Sequence, residues 1–288
     1  MRTPPTPPSA PRLIQCASVW SLIHYPTRAR EWSLERKFAA IREAGFDGVA
    51  ALATPEIRAL ADKFGLRVMG GFDGSSLKRA REQLRLNRDL GVHWLNVQLL
   101  NHDTPPVDAA AFAVKLMELS WEMGLGTHLE THRDTATETP EKFDEIARRF
   151  RRATGRLMPV TWDHSHFAVI KHLLPADYSR RLLAWPELIQ HSHLFHLRPF
   201  NGQHCQVPVT NGRGRLTPEF SDYLKFVTDL FTLWLQGPAP REELWVCPEL
   251  GCSHGYHVST NPPVWPDVVV ARRAYERAWG QARRRAAA

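Results

Sequence analysis

Short runs of apolar and β-branched residues recur along this chain and alternate with longer segments of a different pattern. In the longer segments the apolar residues lie three or four positions apart, as in Phe112, Leu116 and Leu119, which is the spacing of a helix with one buried face. The short runs predict eight strands, at residues 13–19, 46–52, 66–70, 93–99, 127–131, 158–163, 192–197 and 244–248. Strands and helices therefore alternate.

Several boundaries between these elements carry their own signals. Three helices begin with the tripeptide Thr-Pro-Glu, at residues 54–56, 139–141 and 217–219. The threonine can accept a hydrogen bond from a free helical amide, proline suits the first helical position, and glutamate favours the positive end of the helix dipole. Four helices end at a glycine just before a strand, where a left-handed residue is favoured. These glycines are Gly45, Gly65, Gly91 and Gly124.

Each of the first seven strands is followed by a helical segment, and a last helix is predicted at 268–283. This order predicts an α/β fold, a single (β/α)₈ TIM barrel over residues 12–288, and the chain is long enough for the roughly 250 residues such a barrel uses. A doubly wound open sheet is the alternative, but the first turn after a strand, residues 19–24, has no glycine-rich phosphate loop. Residues 1–11 are rich in proline, and we expect a disordered leader there.

Composition narrows the class of protein. The 288 residues are 43% hydrophobic and 23% charged, as is usual for a globular chain. No apolar run approaches the roughly 20 residues of a membrane span, and the N-terminus lacks a signal-peptide core, so we expect a cytoplasmic protein. The net charge of +7 comes from scattered arginines and a C-terminal cluster, which favours a solvated surface over a nucleic-acid site. The four cysteines form no Cys-x-x-Cys pair, and free thiols are expected.

Each of the last four predicted strands ends near a residue that can bind a metal ion. These are Glu130, Asp163, His196 and Glu249, in strand order. The active site of a barrel lies at the carboxyl ends of its strands. Singly, each residue could cap a helix or join a surface ion pair, but three carboxylates meeting at one place would repel one another without a cation. The set therefore predicts one divalent ion, and its oxygen and nitrogen ligands suit Mn²⁺, Mg²⁺, Co²⁺ or Zn²⁺.

This series resembles the xylose isomerase-like TIM barrel superfamily, the sugar isomerase and epimerase type that includes ketose 3-epimerases, inosose dehydratases and endonuclease IV. The resemblance covers most of the chain, from Trp-Ser-Leu-Glu at 32–35 and Ala-Gly-Phe-Asp-Gly-Val at 44–49 to Pro-Glu at 248–249. Its specific part is the series Glu130, Asp163-x-x-His166, His196-x-Arg198 and Glu249.

The resemblance implies roles for individual residues. Glu130, Asp163, His196 and Glu249 match the metal ligands, and Glu130 and Glu249 also match the acid/base pair. His166 matches a substrate contact. His132 and Arg198 are expected to face the same cavity, since Arg198 follows His196 by two positions on the same side of the strand. Trp20, after the first strand, could form a flat wall for a sugar ring or an aromatic group, or could simply cover the core.

Two features depart from the pattern of that superfamily. Many relatives place a glutamate after Gly-Phe-Asp-Gly-Val, but this chain has Ala50, so one polar contact to substrate is missing. The loop after the seventh predicted strand, residues 199–208, is long and carries several polar groups. Both differences put the usual sugar in doubt.

The sequence thus predicts a metal-dependent isomerase or epimerase for a sugar, cyclitol or hydroxy-ketone, acting by proton transfer next to a carbonyl. A lyase or dehydratase acting on a keto-sugar or 3-keto-glycoside uses the same chemistry and is kept as the alternative. An endonuclease IV-like phosphodiesterase is less favoured, because the extra ligands for three zinc ions are missing: Gly202 replaces the aspartate expected two positions before His204. The expected partner is a small sugar-like molecule, not a membrane or nucleic acid. A homo-oligomer is left open.

Overall fold

Eight parallel strands pair in chain order, and the eighth pairs with the first to close a barrel. The computed structural model describes residues 10–238, 242–257 and 261–288. The strands are β1 (Arg12–Ser18), β2 (Gly48–Ala50), β3 (Arg67–Gly74), β4 (Trp94–Leu99), β5 (Gly126–Glu130), β6 (Val160–Trp162), β7 (Leu194–His196) and β8 (Glu243–Cys247). The predicted (β/α)₈ barrel is confirmed. Most of the leader predicted at 1–11 lies outside the described residues.

Helices surround the barrel and follow the strands along the chain. They are α1 (Leu34–Glu43), α2 (Pro55–Phe64), α3 (Leu77–Asp89), α4 (Pro106–Glu122), α5 (Pro140–Thr154), α6 (His164–Ile170), α7 (Tyr178–Leu182), α8 (Pro186–His191), α9 (Pro218–Leu235) and α10 (Trp265–Ala287). Short 3₁₀ helices at Val19–Leu22, Arg28–Arg30 and Pro175–Asp177 complete the elements. Among the described helices, none is long and apolar enough to cross a membrane.

The predicted helix boundaries are confirmed in detail. Thr54, Thr139 and Thr217 each accept a hydrogen bond from a backbone amide three residues later, and the next residue is a proline in the first turn. The four glycines predicted to end helices all have positive φ, between 62° and 84°. Local side-chain chemistry therefore sets these boundaries, as expected for capping.

Four strands differ by three or more residues from the sequence prediction: β2, β6 and β7 are shorter, and β3 is longer. β2 has only three residues, whereas β3 continues through Phe72, Asp73 and Gly74 instead of ending at 70. The sequence pattern predicts an end of this strand at Gly70, but the strand continues beside β4. A Cβ on Gly71 would lie 2.9 Å from the backbone oxygen of Asn96 on β4. These glycines let two strands approach closely, which is the usual reason for glycine inside a sheet.

The lower part of the barrel is filled by side chains, as in other barrels of this kind. The residues that pack there are Ile14, Cys16, Met69, Leu194, Trp245 and Cys247. A larger apolar core lies between the strands and the helices. All four cysteines are free, as predicted, and two of them are buried. Because the floor is closed, the polar residues at the carboxyl ends of the strands can be approached only from the upper mouth.

Candidate metal centre and its cavity

The four predicted metal ligands meet at the carboxyl end of the barrel. Glu130 and His196 are the last residues of β5 and β7, Asp163 directly follows β6, and Glu249 lies two residues beyond β8. One ligand atom from each residue lies within 4.8 Å of the others. Glu130, Asp163 and His196 are buried, and Glu249 is nearly so. Residues separated by up to 119 positions in the chain thus form one cluster because each closes a neighbouring strand.

His196 lies between the two glutamates. Its Nδ1 is 2.8 Å from Oε1 of Glu130 and 2.9 Å from Oε2 of Glu249. Burial alone would lower the pKa of His196, but the charges of Glu249 and Glu130 outweigh burial and raise it well above its ordinary value. Burial would likewise raise the pKa of Glu249, but Arg198 and His196 hold that pKa far below its usual range. The glutamates therefore remain ionised and attract positive charge.

Arg198 lies beside the ligand set, not on an open wall. Its Nη2 is 2.7 Å from Oε2 of Glu249, and its Nε is 3.2 Å from Oδ2 of Asp163. The side chain is only 1% exposed, and its guanidinium carbon lies 4.2 Å from the ring centre of Tyr256. The sequence predicts that Arg198 faces the substrate cavity; the structure places it against two candidate ligands, and it is not among the described residues that line the cavity beside the cluster. Its contact with substrate stays a prediction.

The chemistry of the cluster fits a divalent cation. Within the described residues, Oδ2 of Asp163 and Oε2 of Glu249 are buried and accept no well-aligned hydrogen bond. The other oxygen of Asp163 accepts one from the backbone amide of Ser165 at 3.0 Å. Asp163 Oδ2 and Glu249 Oε2 both form ion pairs with Arg198, and Glu249 also contacts His196. One arginine does not balance three buried carboxylates, so a divalent cation would stabilise them further. Three carboxylates and one imidazole are a ligand set that Mn²⁺, Mg²⁺, Co²⁺ and Zn²⁺ accept.

A network of threonines fixes the turn that follows Glu130. The Thr137 hydroxyl donates to the backbone oxygen of Glu130, and the Thr135 hydroxyl donates to that of His132 at 2.7 Å. Thr131 links β5 to β6, because its hydroxyl both accepts from the Asp163 amide at 2.9 Å and donates to the Asp163 carbonyl at 3.0 Å. The threonines therefore position two of the candidate ligands relative to each other.

The two predicted substrate histidines lie next to this network. The ring centres of His132 and His166 are 4.2 Å apart. Nε2 of His166 is 3.3 Å from Oδ2 of Asp163, and His166 is almost completely buried. Burial, outweighing the attraction of Asp163, lowers the pKa of His166, which favours a neutral ring. The structure brings both histidines to the cluster, and their roles toward substrate stay predictions.

A cavity of about 460 Å³ opens above the barrel on the side of β1 to β4. His196 and Glu249 form part of its lining, and Trp20 lies at its edge as the sequence suggested. The Trp20 ring packs against Gly251, where a Cβ would fall 2.0 Å from a ring carbon, and its indole nitrogen donates to Ser253. The ring is thus held in place by the loop after β8, and one face of the cluster is open to a small molecule.

Sequence analysis missed two residues of the site. Asn96 donates from Nδ2 to Oε2 of Glu130 at 2.8 Å and also lines the cavity. Its signal was present, because β4 alternates buried apolar residues with half-buried positions, and Asn96 is a polar residue on the inner face. Tyr256 packs edge-to-face on Trp20 and covers Arg198, with its own hydroxyl buried and without a hydrogen bond among the described residues. It lies in an irregular loop, where no periodic pattern marks it.

The fold and this cluster together define a (β/α)₈ barrel whose candidate metal centre lies at the carboxyl ends of the strands. Comparison with solved structures shows that the chain has the xylose isomerase-like TIM barrel fold, as the resemblance implied. No protein-family model matches the chain, and no curated protein matches it either.

Three of the similar structures illustrate the range of this fold. An L-ribulose 3-epimerase superposes with a TM-score of 0.58 at 18% identity, over 95% of this chain and 96% of the epimerase. A xylose isomerase-like TIM barrel protein from Mycobacterium smegmatis, in complex with magnesium, gives 0.56 at 14% identity, over 93% and 97%. A probable 3-DHS dehydratase from Bacillus anthracis gives 0.56 at 11% identity, over 92% and 99%. At these identities the likeness concerns the fold.

Proposed function

We propose that this protein is a metal-dependent enzyme that isomerises or epimerises a sugar, cyclitol or hydroxy-ketone by moving a proton at the carbon next to a carbonyl. The observation that supports this most is the convergence of Glu130, Asp163, His196 and Glu249 on one point beside a cavity of small-molecule size. Similar folds in solved structures include a sugar 3-epimerase and a magnesium complex, which agrees with the proposal.

The residues of the cluster have two proposed roles, metal binding and proton transfer. A divalent ion held by Glu130, Asp163, His196 and Glu249 would polarise a carbonyl oxygen and acidify the neighbouring C–H bond. Glu249 lines the cavity, so its carboxylate can remove or return a proton on the near face of a bound carbon. Glu130 comes from β5, on another side of the ring of strands. We assign it the proton transfer on the opposite face of the bound carbon.

The arrangement around Glu130 favours a fixed carboxylate. Asn96 and His196 each contact a different oxygen of Glu130, at 2.8 Å in both cases. Such contacts limit rotation of the carboxylate and define which lone pairs point toward the cavity. Asn96 is therefore assigned as a positioning residue for Glu130.

Metal analysis tests the first half of the proposal. Purified protein incubated with Mn²⁺ and desalted is expected to retain about one ion per chain by elemental analysis, since the cluster offers one set of ligands. Asp163→Ala should lose most of this ion. Asp62→Ala removes an exposed carboxylate on α2, remote from the cluster, and serves as the matched control that keeps the ion. Full retention of metal by Asp163→Ala would show that the cluster is not the metal-binding site.

Solvent exchange tests the second half. The metal-loaded protein is incubated in D₂O with ketoses, cyclitols and simple hydroxy-ketones, and deuterium in the recovered compounds is measured by mass spectrometry. Proton removal next to a carbonyl must exchange that hydrogen with solvent or transfer it to another position of the substrate. The expected result is incorporation or positional transfer in at least one class, absent in Asp163→Ala. Metal binding without either in any class would refute the proposed reaction.

A dehydratase or lyase is the second candidate, and the fold likeness to a probable 3-DHS dehydratase favours keeping it. The first step is the same proton removal, but a β-substituent then leaves and an enone forms. The two outcomes are separated by the product: an epimer or isomer keeps the mass of the substrate, whereas dehydration removes one water and creates a conjugated carbonyl that absorbs in the ultraviolet.

A further inference from the structure

The cavity beside the metal cluster has two chemically different sides. The polar side carries Asn96, His196 and Glu249. The other side is built by the 3₁₀ helix and loop after β1, the end of β2 with the loop after it, one residue of β3 and the first turn of α2. Its lining residues are Val19, Trp20, Ile23, Ala50, Ala51, Leu52, Ile57 and Met69. We call this set the apolar wall. It contains no charged side chain, and among the described residues that line the cavity only the nearby Ser18 carries a hydroxyl.

Leu52 is the most unusual member of the apolar wall. It is 70% exposed, more than any other large hydrophobic residue in the described ranges. A single exposed leucine needs no explanation, but this one lines the same cavity as two candidate metal ligands. Whatever molecule binds at His196 and Glu249 therefore has apolar surface beside it. Apolar surface of the bound molecule that these side chains remove from water strengthens binding.

A fully hydroxylated sugar fits this side of the cavity poorly. Hydroxyl groups placed against Ala50, Leu52 and Met69 would lose water and gain no hydrogen bond from these side chains, which is costly. Ala50 presents only a methyl group to the cavity. The polar groups of the cavity suffice for a carbonyl and one or two neighbouring oxygens.

From these two sides we infer that the substrate is a hydroxy-ketone that carries an apolar substituent, an aromatic ring or branched alkyl group, packed on the apolar wall. The inference rests on the proposed function, because it places the oxygens of the hydroxy-ketone at the metal cluster. Its own basis is the lining of the cavity. The Trp20 ring, held by Gly251 and Ser253, gives the substituent a flat surface for contact.

A matched pair of probes tests the inference through binding. 2-Hydroxyacetophenone and dihydroxyacetone share the hydroxy-ketone group, but the first carries a phenyl ring where the second carries a hydroxymethyl group. Dissociation constants for the Mn²⁺-loaded protein are measured by calorimetry. We expect 2-hydroxyacetophenone to bind at least tenfold more tightly, since burial of a ring on an apolar surface typically gives a tenfold gain or more.

Substitutions locate the preference. Leu52→Gln should reduce the preference for the phenyl probe at least threefold, and because this side chain is exposed the fold should be unaffected. Ala50→Gln, which places an amide in the wall, is the second variant and should have the same effect. Leu174→Gln is the matched control: Leu174 is 68% exposed and lies outside the lining of this cavity, so the preference should be unchanged.

The outcomes separate this inference from the proposed reaction. Equal or weaker binding of the phenyl probe, or a preference that survives both Leu52→Gln and Ala50→Gln, overturns the apolar subsite even if deuterium exchange succeeds with ketoses. A preference that both variants remove supports the subsite. If that preference is found and no compound of any class shows deuterium incorporation or positional transfer, the subsite is retained and the proposed proton transfer is refuted.

Discussion

At the scale of single residues, the two glutamates of the cluster differ in surroundings. Glu130 is buried, and both of its oxygens have polar contacts with Asn96 and His196. Glu249 lines the cavity and its side chain is 16% exposed, whereas its buried Oε2 forms ion pairs with Arg198 and His196. The more accessible carboxylate is the better placed base for a substrate that enters from this side.

Glu249→Gln is expected to retain the metal and to lower the rate of deuterium exchange about 100-fold or more, because the amide keeps a ligand oxygen but cannot accept the proton. Glu130→Gln should lower the net isomerisation by a similar factor. The measurements are elemental analysis together with exchange and product formation on the same samples. A glutamine variant that holds metal and reacts at the wild-type rate would exclude that glutamate as acid or base, and His166 or His132 would become the better assignment.

Arg198 offers a second test at this scale. It contacts both Asp163 and Glu249 from a fully buried position, and its planar group can address two oxygens at once. Arg198→Lys should keep the metal but lower kcat/KM about tenfold or more, since an ammonium group is a single point charge on a flexible chain. Steady-state kinetics on the exchanging substrate provide the measurement. Unchanged kinetics would show that Arg198 has no part in the site beyond its charge.

At the scale of elements, the cluster depends on helices and turns that begin at defined residues. The helix α5 starts directly after the threonine turn that fixes Glu130, and Thr139 caps it by accepting from the amide of Lys142 at 3.2 Å. The same Thr-Pro-Glu pattern starts α2 and α9 on other sides of the barrel. The same threonine cap therefore occurs at three helices. Its contribution to the free energy of unfolding can be measured at one helix with the other two unchanged.

Thr139→Ala should lower the free energy of unfolding by about 1 kcal/mol, because the first turn of α5 loses an acceptor for one of its free amides. Thr139→Ser keeps the hydroxyl and should lose much less. Urea denaturation followed by circular dichroism measures both variants. If the alanine and serine variants are equally stable, the hydroxyl of Thr139 does not cap α5 in solution.

At the scale of the whole molecule, one carboxylate connects three strands across the floor of the barrel. Glu243 on β8 accepts hydrogen bonds from Arg67 on β3, both at 2.8 Å, and from Arg12 on β1. The hydrogen bonds from Arg67 outweigh partial burial and, together with Arg12, lower the pKa of Glu243 to about 2. The folded-state pKa lies below the usual 4.5, so this interaction stabilises the fold above pH 4.5 and is lost as the pH falls toward 2.

Glu243→Gln should therefore be less stable than the wild type at neutral pH, by about 1 kcal/mol after allowance for solvent around the two exposed arginines. The difference should narrow as the pH is lowered from 4.5 toward 3. Urea denaturation at several pH values measures it, and Glu242→Gln, at the exposed neighbouring position, is the matched control. A difference that is independent of pH between 7 and 3 would contradict the assigned ionisation.

The sequence by itself determined most of the architecture. The alternation of two apolar periods fixes the order of strands and helices, since each pattern suits only one kind of element. The Thr-Pro-Glu starts and the glycine ends act within a few residues, so they can be recognised without knowing the fold. The ligand series Glu130, Asp163, His196 and Glu249 followed from one further step, because residues at the ends of consecutive parallel strands must meet at the same edge.

What only the tertiary structure decided depends on distances between elements. The predicted length of β3 was wrong because Gly71 is required by the close backbone of β4. No pattern in the local sequence reveals that contact. The contact of Asn96 with Glu130 and the cover that Tyr256 provides over Arg198 join segments 34 and 58 residues apart. The apolar wall combines residues of two strands, one α-helix, one 3₁₀ helix and the loops beside them. The wall is apolar because side chains from several elements face one cavity. Which side chains face the cavity depends on how the barrel packs, whereas sequence patterns specify each element separately.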